Sequence, residues 1–248
     1  TFQNTNFDVG TAGSSVIDGW SVTNSRIKLD GTSNLGGYPT IVDTTSANGG
    51  LEASSVSSQT YTTTMSTENS TGGGLSVRLN SNLSGVANTP AGQGGVVHGP
   101  AIISNSSVTL GPGDTVSFDW KALGSADSYD VASYLLNIQN GNTEIMLNQT
   151  GPSRQLPPIG GPTNPAFLMT SWQTNTYTVQ TAGTYKFVFI GGTWDSNTGT
   201  AAGASLYVDN IQISAVNPMN FSVSQIQSIK SKLTFSQNDL ALGKVRFT

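Results

Sequence analysis

The chain has 248 residues, a formal net charge of −4 and only 10% charged residues, where an average soluble domain has about a quarter. This acidic balance, without a cluster of Lys and Arg, excludes a nucleic-acid-binding protein, because phosphate binding needs clustered positive charge. The absence of cysteine excludes disulfides, thiol catalysis and a cysteine zinc site, and the single histidine, His98, excludes a multi-histidine metal site. No apolar run approaches the roughly 20 residues of a membrane-spanning helix.

Short segments of alternating or continuous apolar residues run through most of the chain, and they predict β-strands rather than helices. Turn signals separate them: Asp-Gly at 18–19 and 30–31, GPGD at 111–114 and NGN at 140–142. Many short strands with such punctuation are typical of an antiparallel β-sandwich or jelly roll. The predicted strands are residues 2–9, 20–23, 26–29, 61–65, 74–79, 101–103, 115–121, 133–140, 144–148, 173–179, 185–191 and 206–214.

Two segments depart from this pattern. Residues 151–165 contain five prolines, which exclude a central strand and predict a long loop. Beyond residue 215, the Asn-Pro pair at 217–218 breaks the strand pattern, and residues 222–233 place apolar side chains at helical spacing. We therefore predict a β-sandwich over 1–215 and, over 216–248, a connector or the start of a further module with a short helix and strands. Because Thr1 stands where a methionine is expected, we also expect a processed chain or a piece of a longer polypeptide.

The most informative segment is 183–214, in which two apolar runs, YKFVFI and SLYVDNIQI, flank a loop rich in Gly, Asn and Thr. The second run carries Asp209 and Asn210 in its middle. A part-buried carboxylate needs a partner, and the simplest partner for Asp is a hard cation such as Ca²⁺. The segment therefore predicts the closing hairpin of a metal-stabilised β-sandwich.

Several phrases together resemble a module of large structural proteins of marine cyanophages and of giant cell-surface proteins of aquatic bacteria. They are NFDVGTAGSSVIDGWSVTNSRIKL at 6–29, GGYPTIVDTT at 36–45, VVHGPAI at 96–102, GDTVSFDWKALGSADSYDVASYLLN at 113–137 and the closing hairpin at 183–213. The likeness spans about residues 6–214, and it implies an origin in a virion or at a cell surface rather than a particular activity.

More loosely, the chain is similar to carbohydrate-binding modules with a galactose-binding-like jelly roll. Those modules begin with a phenylalanine, an acid and a glycine, followed by Gly-Trp, and they end with an Asp-Asn-Ile strand. The resemblance implies that Asp8, in NFDVG, and Asp209, in VDNI, hold a structural Ca²⁺ between the terminal strands. This chain departs from the pattern by a long insertion at 31–73 and by its proline-rich loop, so the sugar-binding aromatic positions of those modules do not carry over.

Asp8 and Asp209 thus form the first predicted metal site. A Ca²⁺ ion takes six to eight oxygen ligands, and backbone carbonyls of a glycine-rich loop supply the remainder. The alternative is a solvated Asp8 and an Asp209 that caps a strand end through backbone N–H groups.

A second Ca²⁺ site is predicted from acids in separate segments. Asp127 and Asp130 are assigned to a short polar loop and Asp195 to the late GGTWDSNTG loop, with Asp119 on an alternating strand as a further member. Acids gathered from separate loops repel one another unless a cation joins them. The alternative is a set of loop carboxylates hydrogen-bonded to nearby N–H groups.

Trp194 and Tyr38 are the candidate ligand-binding aromatic residues, because planar amphipathic side chains stack on sugar rings. Trp194 is assigned to a polar glycine-rich loop and Tyr38 to the phrase GGYP, whereas Trp20 and Trp120 lie in predicted strands and belong to the core. His98 has no accompanying serine motif and is assigned a structural role in a turn.

No catalytic residue is predicted, because the three glutamates are scattered without a motif and a glycosidase needs two carboxyl groups at a set distance. We predict a non-catalytic structural and adhesive module of a virion or extracellular filament, bound to copies of itself or to neighbouring structural proteins. The segments expected to make such contacts are 2–9 and 233–248, by adding a strand to a sheet edge. The alternatives are a carbohydrate-binding module that recognises a surface glycan and an enzyme that acts on polysaccharide.

Overall fold

The computed structural model of the protein describes residues 3–42, 51–82, 84–87, 95–124, 128–151, 171–195, 199–201 and 203–216. The chain divides into two units, Thr1–Ala215 and Val216–Thr248. Because all of the second unit beyond residue 216 is outside the described residues, the connector and its helix over 222–233 stay a prediction. The same holds for the predicted long loop, of which only Gly151 is described.

The described residues form an all-β structure, in agreement with the predicted class, and none of them lies in a helix that could cross a membrane. The strands are β1 Trp20–Thr23, β2 Asn34–Leu35, β3 Tyr38–Pro39, β4 Leu51–Glu52, β5 Ser55–Ser57, β6 Tyr61–Ser66, β7 Ser76–Ser81, β8 Ser84–Ala87, β9 Gly95–Ser104, β10 Val108–Leu110, β11 Thr115–Gly124, β12 Ser128–Asn137, β13 Thr143–Thr150, β14 Gln173–Thr178, β15 Gly183–Asp195, β16 Gly199–Ala201 and β17 Ala204–Ser214.

Two antiparallel sheets make up the sandwich. Sheet 1 has the order β1-β9-β15-β12-β13, with β10 paired to β15 and β4 paired in parallel to β9, and sheet 2 has the order β14-β11-β17-β7-β6. The pairs β7/β17, β9/β15, β11/β14 and β12/β13 are nested along the chain, so the chain runs as one long hairpin wrapped across both sheets. This nesting is the connectivity of an eight-stranded jelly roll, and it confirms the predicted fold.

The core between the sheets consists of side chains from alternate strand positions. Phe118 of sheet 2 meets Phe189 of sheet 1 edge to face, with ring centroids 5.0 Å apart. Trp20 lies 5.9 Å from Phe189 and 5.3 Å from Phe7, and Trp120 is buried in the same cluster. The prediction that Trp20 and Trp120 belong to the core is therefore confirmed.

Sheet 1 is buried on its outer face as well. A covering segment over residues 27–41 places four apolar side chains on this face, and β9, β12 and β15 supply the side chains beneath it. This double burial explains why β15 contains the continuous apolar run FVFI at 187–190, since a strand covered on both faces has no polar face. The cluster consists of Ile27, Leu29, Leu35, Ile41, Ala101, Ile103, Ala132, Tyr134, Leu136, Val188 and Ile190.

Two of the predicted strands are wrong. Residues 3–9 form turns beside β17, where Phe7 has a φ of 53° and the Thr5 carbonyl accepts a hydrogen bond from Ile211 N at 2.8 Å. Residues 26–29 make only an isolated bridge, because Ile27 and Leu29 serve as cover for sheet 1. Alternation of apolar residues thus marks a covering segment here as well as a strand.

Candidate functional site

Asp209 lies on β17, where the sequence predicted it, and it is only 2% exposed. Its Oδ2 atom accepts hydrogen bonds from Ser70 N at 2.9 Å and from Ser70 Oγ at 3.0 Å, and its Oδ1 atom accepts one from Asn210 N at 2.7 Å. Two of these donors are backbone N–H groups. This is the arrangement expected of an Asp209 that binds backbone N–H groups in place of a metal ion.

Asp8 is exposed and lies close enough to Asp209 for its charge to act on that carboxyl. The Asp8 carboxylate accepts hydrogen bonds from Leu75 N at 2.9 Å and from Asn6 Nδ2 at 2.6 Å. Gly74, with a φ of 93°, permits this approach, because a Cβ at that position would overlap the carboxylate. The loop that connects β6 to β7 therefore contacts both predicted ligands of the first metal site, Asp8 through Leu75 N and Asp209 through Ser70.

Asp119 of β11 joins Asp209 directly, as its cross-strand partner on the outer face of sheet 2. Its Oδ2 atom contacts Ser70 Oγ at 2.7 Å and accepts a hydrogen bond from Asn210 Nδ2 at 3.0 Å, and its Oδ1 atom accepts one from Thr174 Oγ1 at 2.5 Å. The Ser70 hydroxyl thus lies within hydrogen-bond distance of both carboxylates. Since it carries one proton, one of these two contacts lacks a donor unless a further proton or a cation is present.

The pKa values of Asp119 and Asp209 are shifted in opposite directions by their surroundings. Burial raises the pKa of Asp209, and the nearby charge of Asp8 adds to the increase. At Asp119 burial acts in the same sense, but the hydrogen bonds from Thr174, Ser70 and Asn210 prevail and lower the pKa. The pair is therefore suited to hold either one shared proton or a cation.

Irregular backbone creates this arrangement. The pairing of β11 with β17 shifts between Ser117 and Asp119, which indicates a β-bulge, and Asn210 has a φ of 50°. Bulges redirect side chains, and asparagine tolerates the left-handed region better than most residues. The bulge is thus the local reason why two acids and Asn210 meet above one strand pair.

The second predicted metal site is placed differently from the expectation. Asp130 lies not in a loop but within β12, where it is fully buried. Asp127 is outside the described residues, and of Asp195 only the backbone, paired with Gly95, is described. In the described part of the chain, no three His, Cys, Asp or Glu residues are grouped so as to hold a metal ion.

A buried ionic network that the sequence reading missed joins Glu52, His98 and Asp130. His98 is 2% exposed, its Nδ1 atom lies 2.6 Å from Glu52 Oε1, and its Nε2 atom lies 2.7 Å from Asp130 Oδ1. Thr150 Oγ1 donates to Asp130 Oδ2 at 2.7 Å, and Arg26 Nη2 lies 3.4 Å from Glu52 Oε2. Two cations thus face two carboxylates, and this His98 network is balanced in charge.

Gly192 lets this network form across a strand. His98 on β9 and Asp130 on β12 are separated in sheet 1 by β15, and Gly192 of β15 pairs with His98. A Cβ on Gly192 would clash with the His98 ring and with the Asp130 carbonyl oxygen. A glycine in the middle of an apolar strand indicates that another group approaches the backbone closely. Gly192 is therefore the sequence feature from which the network could have been predicted.

The network keeps His98 protonated. Burial disfavours the imidazolium, but the charge of Glu52 and the hydrogen bonds to Asp130 and Glu52 prevail and raise the pKa of His98 to about 10. At Glu52 burial acts to raise the pKa, yet His98, Leu29 N and Arg26 together lower it. His98 therefore serves as a fixed cation rather than a proton acceptor near neutral pH, and its assigned place in a turn is wrong because it lies within β9.

The two predicted ligand-binding aromatic residues lie in different surroundings from those expected. Trp194 is inside β15 rather than on a loop, paired with Ser128 on one side and Val96 on the other. Its Nε1 atom is buried and has no hydrogen-bond partner in the part of the chain that the structure describes. Tyr38 is half-buried and donates its hydroxyl to the Ile138 carbonyl at 2.6 Å, which ties the β2–β3 hairpin to sheet 1.

Glu144 on β13 closes one end of the sandwich. Its carboxylate accepts hydrogen bonds from Tyr177 Oη and Gln180 N at 2.9 Å each, from Thr181 N at 2.8 Å and from Tyr185 Oη at 3.1 Å. These donors prevail over burial and lower the pKa of Glu144. The residue also lines an open polar cleft of about 470 Å³. Its carboxylate contacts Tyr177 of sheet 2 and Tyr185 of sheet 1, so it links the two sheets.

Comparison with known proteins gives no family. No protein-family model matches the sequence, and no curated protein matches it. Among solved structures, an adhesin domain of Lys-gingipain from Porphyromonas gingivalis is 15% identical with a TM-score of 0.40, covering 84% of this chain and 97% of that one. A carbohydrate-binding module specific for non-crystalline cellulose is 13% identical with a TM-score of 0.40, covering 86% and 93%.

A third similar structure is the enzymatically active domain of tailspike protein 4 of bacteriophage CBA120, which is 10% identical with a TM-score of 0.38. It covers 86% of this chain, but this chain spans only 21% of that one. Carbohydrate-binding modules are the kind of structure that the looser resemblance implied. Likeness at these values carries no argument about ligand or activity.

Proposed function

We propose that this protein is a non-catalytic structural and adhesive module of a virion or extracellular filament, which binds copies of itself or neighbouring proteins. The observation that supports this most is the internal use of its carboxylates. Glu52 and Asp130 are paired with His98, and Asp119 and Asp209 share Ser70. Such groups stiffen a sandwich, and within the described residues these four carboxylates are bonded to partners in the protein itself.

Self-association is the test of the assembly role. Sedimentation velocity of the full chain over a wide range of concentrations, followed by electron microscopy, is expected to show larger species that form reversibly. Residues 3–9 are not expected to make the contact, because Ile211 N and the Trp20 indole hold this segment against its own sandwich. A chain that stays monomeric throughout and binds no protein from the native particle or filament would contradict the proposal.

An enzyme that acts on polysaccharide is the least supported alternative. The opposite pKa directions of Asp119 and Asp209 are of the kind that an acid and a base need. However, their exposed fractions are only 9% and 2%, and Ser70 fills the space between them. Turnover of a polysaccharide panel that disappears in a folded Asp209→Asn variant would establish the enzyme; absence of turnover supports the binding module.

We also propose that Asp8 and Asp209 bind a structural Ca²⁺. What supports it is the excess of negative charge around Ser70, where two carboxylates compete for one hydroxyl proton. A bound ion at one hundred times its dissociation constant stabilises a protein by about 2.7 kcal/mol. We therefore expect EDTA to lower the melting temperature and Ca²⁺ to restore it; an unchanged melting temperature would refute the site.

Carbohydrate binding is the second candidate function, and the outer face of sheet 2 favours it. Trp172, half-buried beside β14, contacts Tyr207, whose ring is flanked by Arg78 and Lys121. The predicted contacts Trp194 and Tyr38 are less suited, since the first lies within a sheet and the hydroxyl of the second is already bonded. Testing Trp172→Ala and Trp194→Ala on a glycan array distinguishes the two places, because the variant that lacks the contact residue is the one that loses binding.

A further inference from the structure

One row of side chains crosses the outer face of sheet 2. Tyr207 on β17 pairs with Arg78 on β7 and with Lys121 on β11, and Arg78 pairs in turn with Thr64 on β6. Paired residues of neighbouring strands lie on the same face. The residues that flank Tyr207 along β17, Leu206 and Val208, point into the core, so the row lies on the outer face of sheet 2. Within it Tyr207 is 7% and Lys121 8% exposed, whereas Arg78 is more open.

Trp172 extends this row at the edge of the sheet. Its ring lies 6.4 Å from the Tyr207 ring at an angle of 69°. The Arg78 guanidinium carbon lies 5.7 Å from the centre of the Tyr207 ring, and Lys121 Nζ lies 5.8 Å from it. Two cations therefore flank one aromatic ring, which attracts both through its negative face.

The two cations differ in how their charge is compensated. Lys121 Nζ forms a salt bridge of 2.7 Å with Glu68 Oε2. Arg78 instead donates to neutral oxygens, from Nε to Ser205 Oγ at 3.1 Å and from Nη2 to Asn80 Oδ1 at 3.0 Å. Within the described residues, no carboxylate lies at ion-pair distance from Arg78.

Arg78 also keeps donors in reserve. A guanidinium carries five N–H groups, of which these two bonds use two. Its planar fork matches a carboxylate or a sulfate, with two parallel hydrogen bonds. The side chain is half-buried rather than covered, and the hydrogen bonds to Ser205 and Asn80 hold it in place before any ligand arrives. This is a prepared site for an oxyanion.

We propose that this row binds an acidic polysaccharide, with Arg78 holding a carboxylate or sulfate and Trp172 packing against a sugar ring. The inference rests on the carbohydrate-binding alternative of the proposed function. The Arg78 guanidinium carbon and the Trp172 ring lie 5.7 Å and 6.4 Å from the same Tyr207 ring, so the two groups are at most about 12 Å apart. An oligosaccharide that reaches both groups is therefore the expected ligand. The two cations of the row are fewer than the clustered positive charge that a nucleic acid needs.

Calorimetric titration of the full chain tests the proposal with three probes: an oligogalacturonate, a sulfated oligosaccharide and a neutral cello-oligosaccharide. Binding of at least one acidic probe, weakened by salt, is expected, and the two acidic probes distinguish carboxylate from sulfate. Arg78→Gln is expected to weaken that binding about ten-fold or more, because a charged hydrogen bond is lost. Arg78→Lys keeps the charge but not the planar fork, so its affinity for the acidic probe is expected to lie between those of the wild type and Arg78→Gln.

Lys186→Gln, which removes a half-buried cation from sheet 1, is the matched control and is expected to leave affinity unchanged. Melting curves establish that each variant is folded. Acidic and neutral probes bound equally well, or an Arg78→Gln variant that binds as the wild type does, would overturn the anionic ligand while leaving carbohydrate binding intact. No binding of any probe, or tighter binding of a single-stranded DNA oligomer, would overturn the site and leave the assembly proposal untouched.

Discussion

The two buried acid clusters of the sandwich solve the same electrostatic problem in different ways. In sheet 1, Glu52 and Asp130 face two cations, His98 and Arg26, and every charge has an opposite partner. In sheet 2, Asp119 and Asp209 have only neutral donors and one shared hydroxyl. Buried charges are stable when they are paired. The first cluster is therefore complete within the chain, whereas the second needs a proton or an ion from solution.

The largest expected effect comes from breaking the complete cluster. Asp130→Asn removes one carboxylate from His98 and leaves a fully buried cation short of a partner. Breaking a buried ion pair costs about 3–5 kcal/mol. Urea unfolding should show a decrease of this size, and Asp18→Asn, at an exposed position, should show almost none. Equal stability of the two variants would mean that the His98 network does not support the fold.

The same network predicts a loss of stability in alkali. The pKa of His98 is raised from 6.5 to about 10 by folding, so its contribution is complete below pH 6.5 and is lost as the pH rises through about 10. The lowered pKa of Glu52 has the opposite sense, and its contribution is lost as the pH falls below the range of an ordinary glutamate. Unfolding free energies measured from neutral to alkaline pH should decline in the wild type.

His98→Gln is the control for this alkaline decline, because it removes the titrating group. The difference in stability between wild type and variant should shrink steadily above neutral pH. A constant difference would show that other groups, such as tyrosines and lysines, cause the decline.

In the cluster of Asp119 and Asp209, a neutral substitution should raise stability rather than lower it when no ion is bound. In EDTA, Asp209→Asn removes a charge whose pKa is raised by burial, so it should raise the melting temperature by about 2–4 °C for each kcal/mol relieved. With Ca²⁺ present, the same change removes a ligand and should lower the melting temperature relative to the wild type. A variant that behaves alike in both conditions would indicate a shared proton and no ion.

Glu144→Gln is expected to have the smallest effect. Four donors converge on this carboxylate, and the amide nitrogen of glutamine would oppose some of them. Because the site is half-exposed, water replaces part of what is lost, and we expect a decrease of about 1 kcal/mol in unfolding free energy. Glu68→Gln, which weakens an exposed salt bridge, is the matched control with a loss of about 0–1 kcal/mol.

Polar residues within apolar strands indicate buried polar groups that need a partner. Asp209 in SLYVDNIQI was read as a buried acid that needs a partner, and it is one. Asp130 in SYDVASYLLN and His98 in GVVHGPAIIS are likewise polar residues within apolar segments. Because polar or proline-containing residues adjoin them, they were predicted to lie in a loop and a turn. The structure shows both within strands. Burial of a polar residue was thus predictable, whereas the identity of its partner was not.

What the sequence determined by itself is the class of fold and most of its strands, because alternation of apolar residues and turn signals are local properties. The contacts of Glu52 with His98 and Asp130, and of Asp119 with Asp209, were decided only by the tertiary structure. These residues are far apart in sequence, and they meet through strand order, register, a bulge and the bare backbone of Gly192. Register sets which side chains face one another, and no local pattern records it.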